Sequence, residues 1–220
     1  MENKVAISTL PFAFESLGEQ SSKLKLTGAN FLHCDIMDGV FVSQKTYMPA
    51  SVAQLLKMSS LPLDVHLMIE TPTEYLPLCA GAYSVSVHCE VFNLAEDGVG
   101  ALKTIKTLGA KAGIAIDLYT PLEEVLAYVN VADYVLVMSV KAGKGGQVFD
   151  ERALQKVREL VAYRTANGLS FKIEIDGGIN GQNAQICVDA GVDVLVSGSY
   201  VANSDDYSKS IASLKFEARD

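Results

Sequence analysis

No run of about 18 apolar residues occurs anywhere in the chain, and the opening residues, MENKVAISTL, lack a basic start followed by a long apolar stretch. Neither a membrane span nor an export signal is indicated, and a cytoplasmic protein is expected. No C-x-x-C pair is present. The four cysteines (Cys34, Cys79, Cys89, Cys187) are scattered through apolar stretches, so reduced thiols packed in a core are expected. No cluster of Lys and Arg is visible and the formal net charge is −8, which argues against a nucleic-acid partner. A small anionic substrate stays compatible, because backbone donors act at short range. Linkers, low-complexity tracts and like-charge blocks are missing too. With 220 residues and 49% hydrophobic content, the expectation is one domain, residues 1–220, with a full core.

Short apolar runs rich in Val, Ile and Leu recur about every 25 residues, each followed by a longer stretch of helical spacing or helix-forming composition. They predict eight strands: Val5 to Thr9, Asn30 to Ile36, Leu63 to Met68, Ser84 to His88, Lys111 to Ile116, Tyr134 to Ser139, Phe171 to Ile175 and Val192 to Val196. Near-continuous apolar strands imply burial on both faces, as in a parallel sheet covered by helices. Eight β/α units in this length predict an α/β fold, the closed (β/α)₈ TIM barrel, with an open doubly wound sheet as the alternative. Thr71-Pro72-x-Glu74 and Thr120-Pro121-x-Glu123 each read as a cap followed by proline in the first turn of a helix. The polar tail, Phe216 to Asp220, is expected to fray.

In such a barrel the reactive groups lie at the C-terminal ends of the strands. The three histidines, His33, His66 and His88, all fall at or near predicted strand ends. His33-Cys34-Asp35 places an imidazole and a carboxylate on one face of strand two, since alternate residues point the same way. Asp64-Val65-His66 is another alternate pair, and Glu174-Ile175-Asp176 closes strand seven, where barrel closure can bring Asp176 across from Asp35. Taken singly, each His reads as a satisfied polar group and each Asp as a helix cap. Together, His33, Asp35, His66 and Asp176 make a mixed nitrogen and oxygen donor set for one divalent ion: zinc, iron, manganese or cobalt. His88 pairs only with Glu90 in the sequence and is expected to line the pocket.

Glycines follow the last three strands: Gly143-Lys144-Gly145-Gly146-Gln147, Gly177-Gly178 and Gly198-Ser199. Each alone reads as a tight turn. Three neighbouring loops at one rim predict a phosphate seat, because glycine lets backbone N–H groups approach an anion closely.

On these residues the chain resembles the ribulose-phosphate 3-epimerase family, including its allulose-6-phosphate 3-epimerase relatives, over nearly its whole length. The resemblance rests on His33-Cys34-Asp35-Ile36-Met37-Asp38-Gly39-Val40-Phe41-Val42, on Asp64-Val65-His66-Leu67-Met68, on Met138-Ser139-Val140 leading into Gly145-Gly146-Gln147, and on Glu174-Ile175-Asp176-Gly177-Gly178-Ile179-Asn180. It implies the ribulose-phosphate-binding type of the barrel, with His33, Asp35, His66 and Asp176 as metal ligands and Asp35 and Asp176 doubling as acid and base. It further implies that Ser8 touches substrate, that phosphate lies near Gly146, Gly177, Gly178, Gly198 and Ser199, and that Met37, Met68 and Met138 line the reacting carbon. A homo-oligomer built through barrel helices is implied as well. Two loops depart from the family pattern: Phe41-Val42-Ser43-Gln44 stands where F-V-P-N is common, and Lys141-Ala142-Gly143-Lys144-Gly145-Gly146-Gln147 where N-P-G-F-G-G-Q is usual.

The activity implied is C3 epimerisation of a ketose phosphate, D-ribulose 5-phosphate first, with allulose 6-phosphate as the alternative. Inversion of a carbon beside a carbonyl calls for two acid/base groups on opposite sides of a planar enediolate, and Asp35 and Asp176 meet that demand. A phosphosugar decarboxylase or aldolase on the same barrel would carry D-x-K-x-x-D, where this chain reads Asp35-Ile36-Met37-Asp38 without lysine. A non-catalytic sugar-phosphate sensor is the reading from another class.

Overall fold

The computed structural model describes residues 2–47 and 49–217. Eight parallel strands pair in chain order and close on themselves: β1 (Lys4–Ser8), β2 (Phe31–Met37), β3 (Leu63–Met68), β4 (Ser84–His88), β5 (Lys111–Ile116), β6 (Tyr134–Met138), β7 (Lys172–Asp176) and β8 (Val194–Ser197), with β8 pairing back to β1. This is the predicted (β/α)₈ barrel. Three strands keep their predicted limits, and the others shift by one or two residues. β2 runs on to Met37 and β7 to Asp176, so both carboxylate-bearing segments end inside the ladder rather than in a loop.

Alternation sorts the core into two parts. Val5, Ile7, Leu32, Cys34, Val65, Leu67, Val85, Ile114, Val135, Ile173 and Leu195 point outward and are buried with the inner faces of the helices. Those helices are α1 (Leu17–Leu26), α2 (Val52–Met58), α3 (Ala95–Thr107), α4 (Glu123–Leu126), α5 (Arg152–Ala166), α6 (Ala184–Ala190), α7 (Ser199–Ala202) and α8 (Tyr207–Ala212). In α3 the buried set Gly98, Ala101, Leu102 and Ile105 follows the i, i+3, i+4, i+7 spacing of one helical face. Each fully buried Leu or Ile contributes about 1.5–3 kcal/mol, and this shell offsets the cost of ionisable groups in the barrel interior. All four cysteines are free and buried, as expected.

The helix expected after Thr71 is absent. Pro72–Glu74 and Leu76–Cys79 are short 3-10 turns, and the Thr71 side chain caps nothing. Pro77 interrupts the segment, while Leu76 and Cys79 are buried against the barrel in place of an α-helical face. After Pro121 the helix is a single turn, α4, beginning two residues later than predicted. The tail is also corrected in part: Phe216 exchanges hydrogen bonds with Asn3, and Glu217 bridges to Glu2, while residues 218–220 lie outside the described residues. No described helix is long and apolar enough to cross a membrane.

Candidate active site

Strand register builds the site. His33 sits beside Asp64 and Asp35 beside His66 across the β2–β3 ladder. A His-x-Asp strand thus lies against an Asp-x-His strand in opposite phase, and each imidazole meets a carboxylate from its neighbour. His33 Nδ1 lies 2.6 Å from Asp64 Oδ2, and His66 Nδ1 lies 3.1 Å from Asp35 Oδ1. Asp64 is held in turn by the Ser84 hydroxyl at 2.6 Å and the Tyr134 hydroxyl at 3.3 Å. Tyr134 reaches it through space left by Gly113, where a Cβ would stand 2.2 Å from the ring.

Closure of the barrel supplies the fourth member. Asp176 at the end of β7 comes within 3.9 Å of His33 Nε2, which also lies 3.3 Å from Asp35 Oδ1. One ligand atom from each of His33, Asp35, His66 and Asp176 lies within 4.8 Å of every other. The predicted quartet is therefore brought together. His33 Nε2 is buried without a hydrogen-bond partner, a costly state that a bound cation relieves, so the donor set fits a divalent ion. A second buried group, His33, Asp64 and Glu174, lies within the same spacing, but the Asp64 oxygens are already engaged by His33, Ser84 and Tyr134.

The two aspartates are driven apart in acidity. Burial raises the Asp176 carboxyl, the charge of Asp35 adds to that, and it is pushed up to about 7. Burial acts the same way on Asp35, but the charge and hydrogen bonding of His33, joined by His66, outweigh it and hold Asp35 well below the usual carboxylate range. His66 is brought down to about 4, mainly by burial, against the pull of its Asp35 contact.

Above the quartet opens a cavity at the C-terminal end of the barrel. Ser8, Asp35, Met37, Met68, Met138, Gly146, Asp176, Gly177, Gly178, Gly198 and Ser199 all line it. The Ser8 hydroxyl donates to Asp35 Oδ2 at 3.1 Å. Gly178 adopts a left-handed φ of 64°, and a Cβ there would meet the Phe149 nitrogen at 2.5 Å, so the loop admits only glycine. The Gln147 amide donates to the carbonyls of Lys141 and Lys144 and ties the 141–147 loop into a compact arch. Lys141 and Lys144 are the only Lys or Arg among the described residues that line the cavity.

His88 does not line the cavity. It is fully buried behind His66, with the two Nε2 atoms 2.9 Å apart and the Phe41 ring 4.7 Å from its own. Phe41, from the loop after β2, packs on the His88 ring and against the cluster of Met37, Met68 and Met138. Leu10 and Pro11 line the mouth and were missed. Their signal is topological: the loop after β1 must lie at this rim.

A family model described as the ribulose-phosphate 3 epimerase family matches residues 4–202. The chloroplastic ribulose-5-phosphate-3-epimerase of Arabidopsis thaliana is 40% identical over 220 residues, covering 98% of this chain and 77% of that one. The ribulose-phosphate 3-epimerase of Bacillus subtilis is 37% identical over 215 residues, covering 96% and 98%. Among solved structures, KGPDC from Streptococcus mutans superposes with a TM-score of 0.67 at 11% identity, covering 97% of this chain and 96% of that one. At that identity the likeness concerns the fold alone.

Proposed function

Because the chain belongs to the ribulose-phosphate 3-epimerase family, and is thus an isomerase, we propose that it inverts C3 of D-ribulose 5-phosphate to give D-xylulose 5-phosphate by a metal-dependent two-base reaction. The observation that carries this reading is the convergence of Asp35 and Asp176, from distant segments of the chain, on one cluster with His33 and His66, the two aspartates themselves lining the cavity.

These four residues would hold the ion. When bound, it supplies fixed positive charge that stabilises the negative charge left when a proton departs from carbon beside a carbonyl. The protein's own groups do the rest. One aspartate, ionised, removes the C3 proton from one face; the other, protonated, returns a proton to the opposite face; the roles exchange with direction. Two carboxyl groups of unequal acidity in one site suit that division. Ser8 touches substrate while restraining Asp35. Met37, Met68 and Met138 cover the planar intermediate and exclude water without offering it a proton. The loops at Gly146, Gly177, Gly178, Gly198 and Ser199 seat the phosphate, which orients the reacting carbon from a distance.

The test is turnover in D₂O. Metal-replete protein given D-ribulose 5-phosphate is expected to form D-xylulose 5-phosphate with solvent deuterium at C3. Tight ligand binding without turnover across a panel of ketose phosphates would count against catalysis and for the sensor reading.

A further inference from the structure

Glu90 and His88 stand outside the cavity, yet they connect directly to His66 of the quartet. His88 Nδ1 donates to Glu90 Oε2 at 2.8 Å, His88 Nε2 lies 2.9 Å from His66 Nε2, and the other Glu90 oxygen accepts the Asp117 N–H at 2.7 Å. Phe41 packs on the His88 ring and limits its rotation. A neutral imidazole carries one ring proton, so the role of each nitrogen follows from its partner.

For a cation to sit between Asp35 and His66, the His66 Nδ1 on that side must offer a lone pair. The ring proton then belongs on Nε2, where His88 Nε2 lies within hydrogen-bond distance. His88 can accept there, because Glu90 draws its own proton to Nδ1. Every proton in the chain then has a place, and no two lone pairs face each other.

We propose that His88 and Glu90 are a positioning pair that orients His66 and sets its tautomer for cation binding. The inference rests on the metal-dependent reading above. Ligating imidazoles generally donate their second N–H to an outer partner, and loss of that partner weakens metal affinity by about 10–100-fold. A backbone carbonyl could serve as such a partner. Here the partner is a second imidazole, anchored by a carboxylate that is itself held on backbone.

The test uses chelator-stripped full-length protein titrated with Co²⁺ and Zn²⁺ against a competing chelator. His88→Leu removes the acceptor, whereas His88→Gln places an amide oxygen in its stead. Affinity is expected to fall about 10–100-fold in His88→Leu, with an altered cobalt absorption band, and to recover most of that loss in His88→Gln. Unchanged affinity in His88→Leu, or no recovery in His88→Gln, overturns the proposal. A measurement on the unaltered chain does not depend on how variants fold: in the zinc-loaded protein, ¹⁵N NMR should find the His66 ring proton on Nε2, and a proton on Nδ1 overturns the assignment. Failure of the wild-type chain to take up either ion would remove the metal reading together with this one. Normal uptake with an unaffected His88→Leu variant removes only the positioning pair.

Discussion

The two ends of the barrel treat aspartate in opposite ways. At the N-terminal end, Asp133 and Asp193 each precede a strand and reach back to the neighbouring one: Asp133 accepts the Ala112 N–H at 2.8 Å, and Asp193 the Ile173 N–H at 2.9 Å. Asn30 does the same for Val5 at 2.8 Å. Lys106 pairs with Asp133, and Arg164 and Lys172 pair with Asp193, so each carboxylate is neutralised where it stands. At the C-terminal end, Asp35 and Asp176 face two imidazoles and each other, with no Lys or Arg among the described residues paired to them. One end spends its carboxylates on holding strands in register. On the proposed mechanism the other keeps them available for an ion and for proton exchange, at a cost in stability that the apolar shell offsets.

That contrast breaks most readily by exchange of single residues. Asp35→Asn or Asp176→Asn, with metal content verified, is expected to lower kcat by about 10³-fold, within the range of lost general acid/base catalysis. Near-normal epimerisation by either variant would end the two-base scheme. Asp193→Ala at the opposite end is expected to leave kcat nearly unchanged and to cost about 2 kcal/mol of stability in urea unfolding, since it strips partners from two cations and one backbone N–H. A large loss of turnover there would show that the two ends are not separable.

Acid sharpens the comparison. Burial opposes the ionisation of Glu90, but its hydrogen bond and charge interaction with His88 bring it down to about 2, from an ordinary value of 4.5. A carboxyl depressed in the folded state stabilises above its unfolded pKa and loses that contribution as pH falls toward the folded one. Between pH 6 and pH 3 the wild-type chain is therefore expected to lose roughly 1 kcal/mol more stability than Glu90→Gln, measured as the difference in urea midpoints. Equal losses would show that the Glu90–His88 contact carries no net stabilisation.

The smallest expected effect concerns the departures in the 141–147 loop. Lys144 lines the cavity beside the glycine loops, so Lys144→Met should raise KM by about three- to fivefold with kcat unchanged, the size expected of one exposed ion pair. The difference should shrink as salt is raised. A KM that ignores both the substitution and salt would place Lys144 in solvent.

Much of this is legible in the sequence. The barrel was readable because strand and helix periodicities are local, and eight alternations in one chain leave few ways to close. The quartet was readable because His33 and Asp35, and then His66 and Asp176, fall at predicted strand ends. The glycine loops were readable because a left-handed φ and a close backbone approach, as at Gly178, exclude other residues. His88 was misread because burial behind another ring leaves no trace in spacing. The helix after Thr71 was misread because proline signals a first turn without specifying how many turns follow.

The sequence by itself determined which ionisable residues share a strand face and which end of each strand bears them, since a two-residue period and the direction of the chain decide that locally. Only the tertiary structure decided who meets whom. The β2–β3 register sets each imidazole against a carboxylate, closure carries Asp176 across to Asp35, and packing places His88 at the back of His66. Each of these depends on strand order and stagger around the whole barrel, a property of the closed sheet that no single segment encodes.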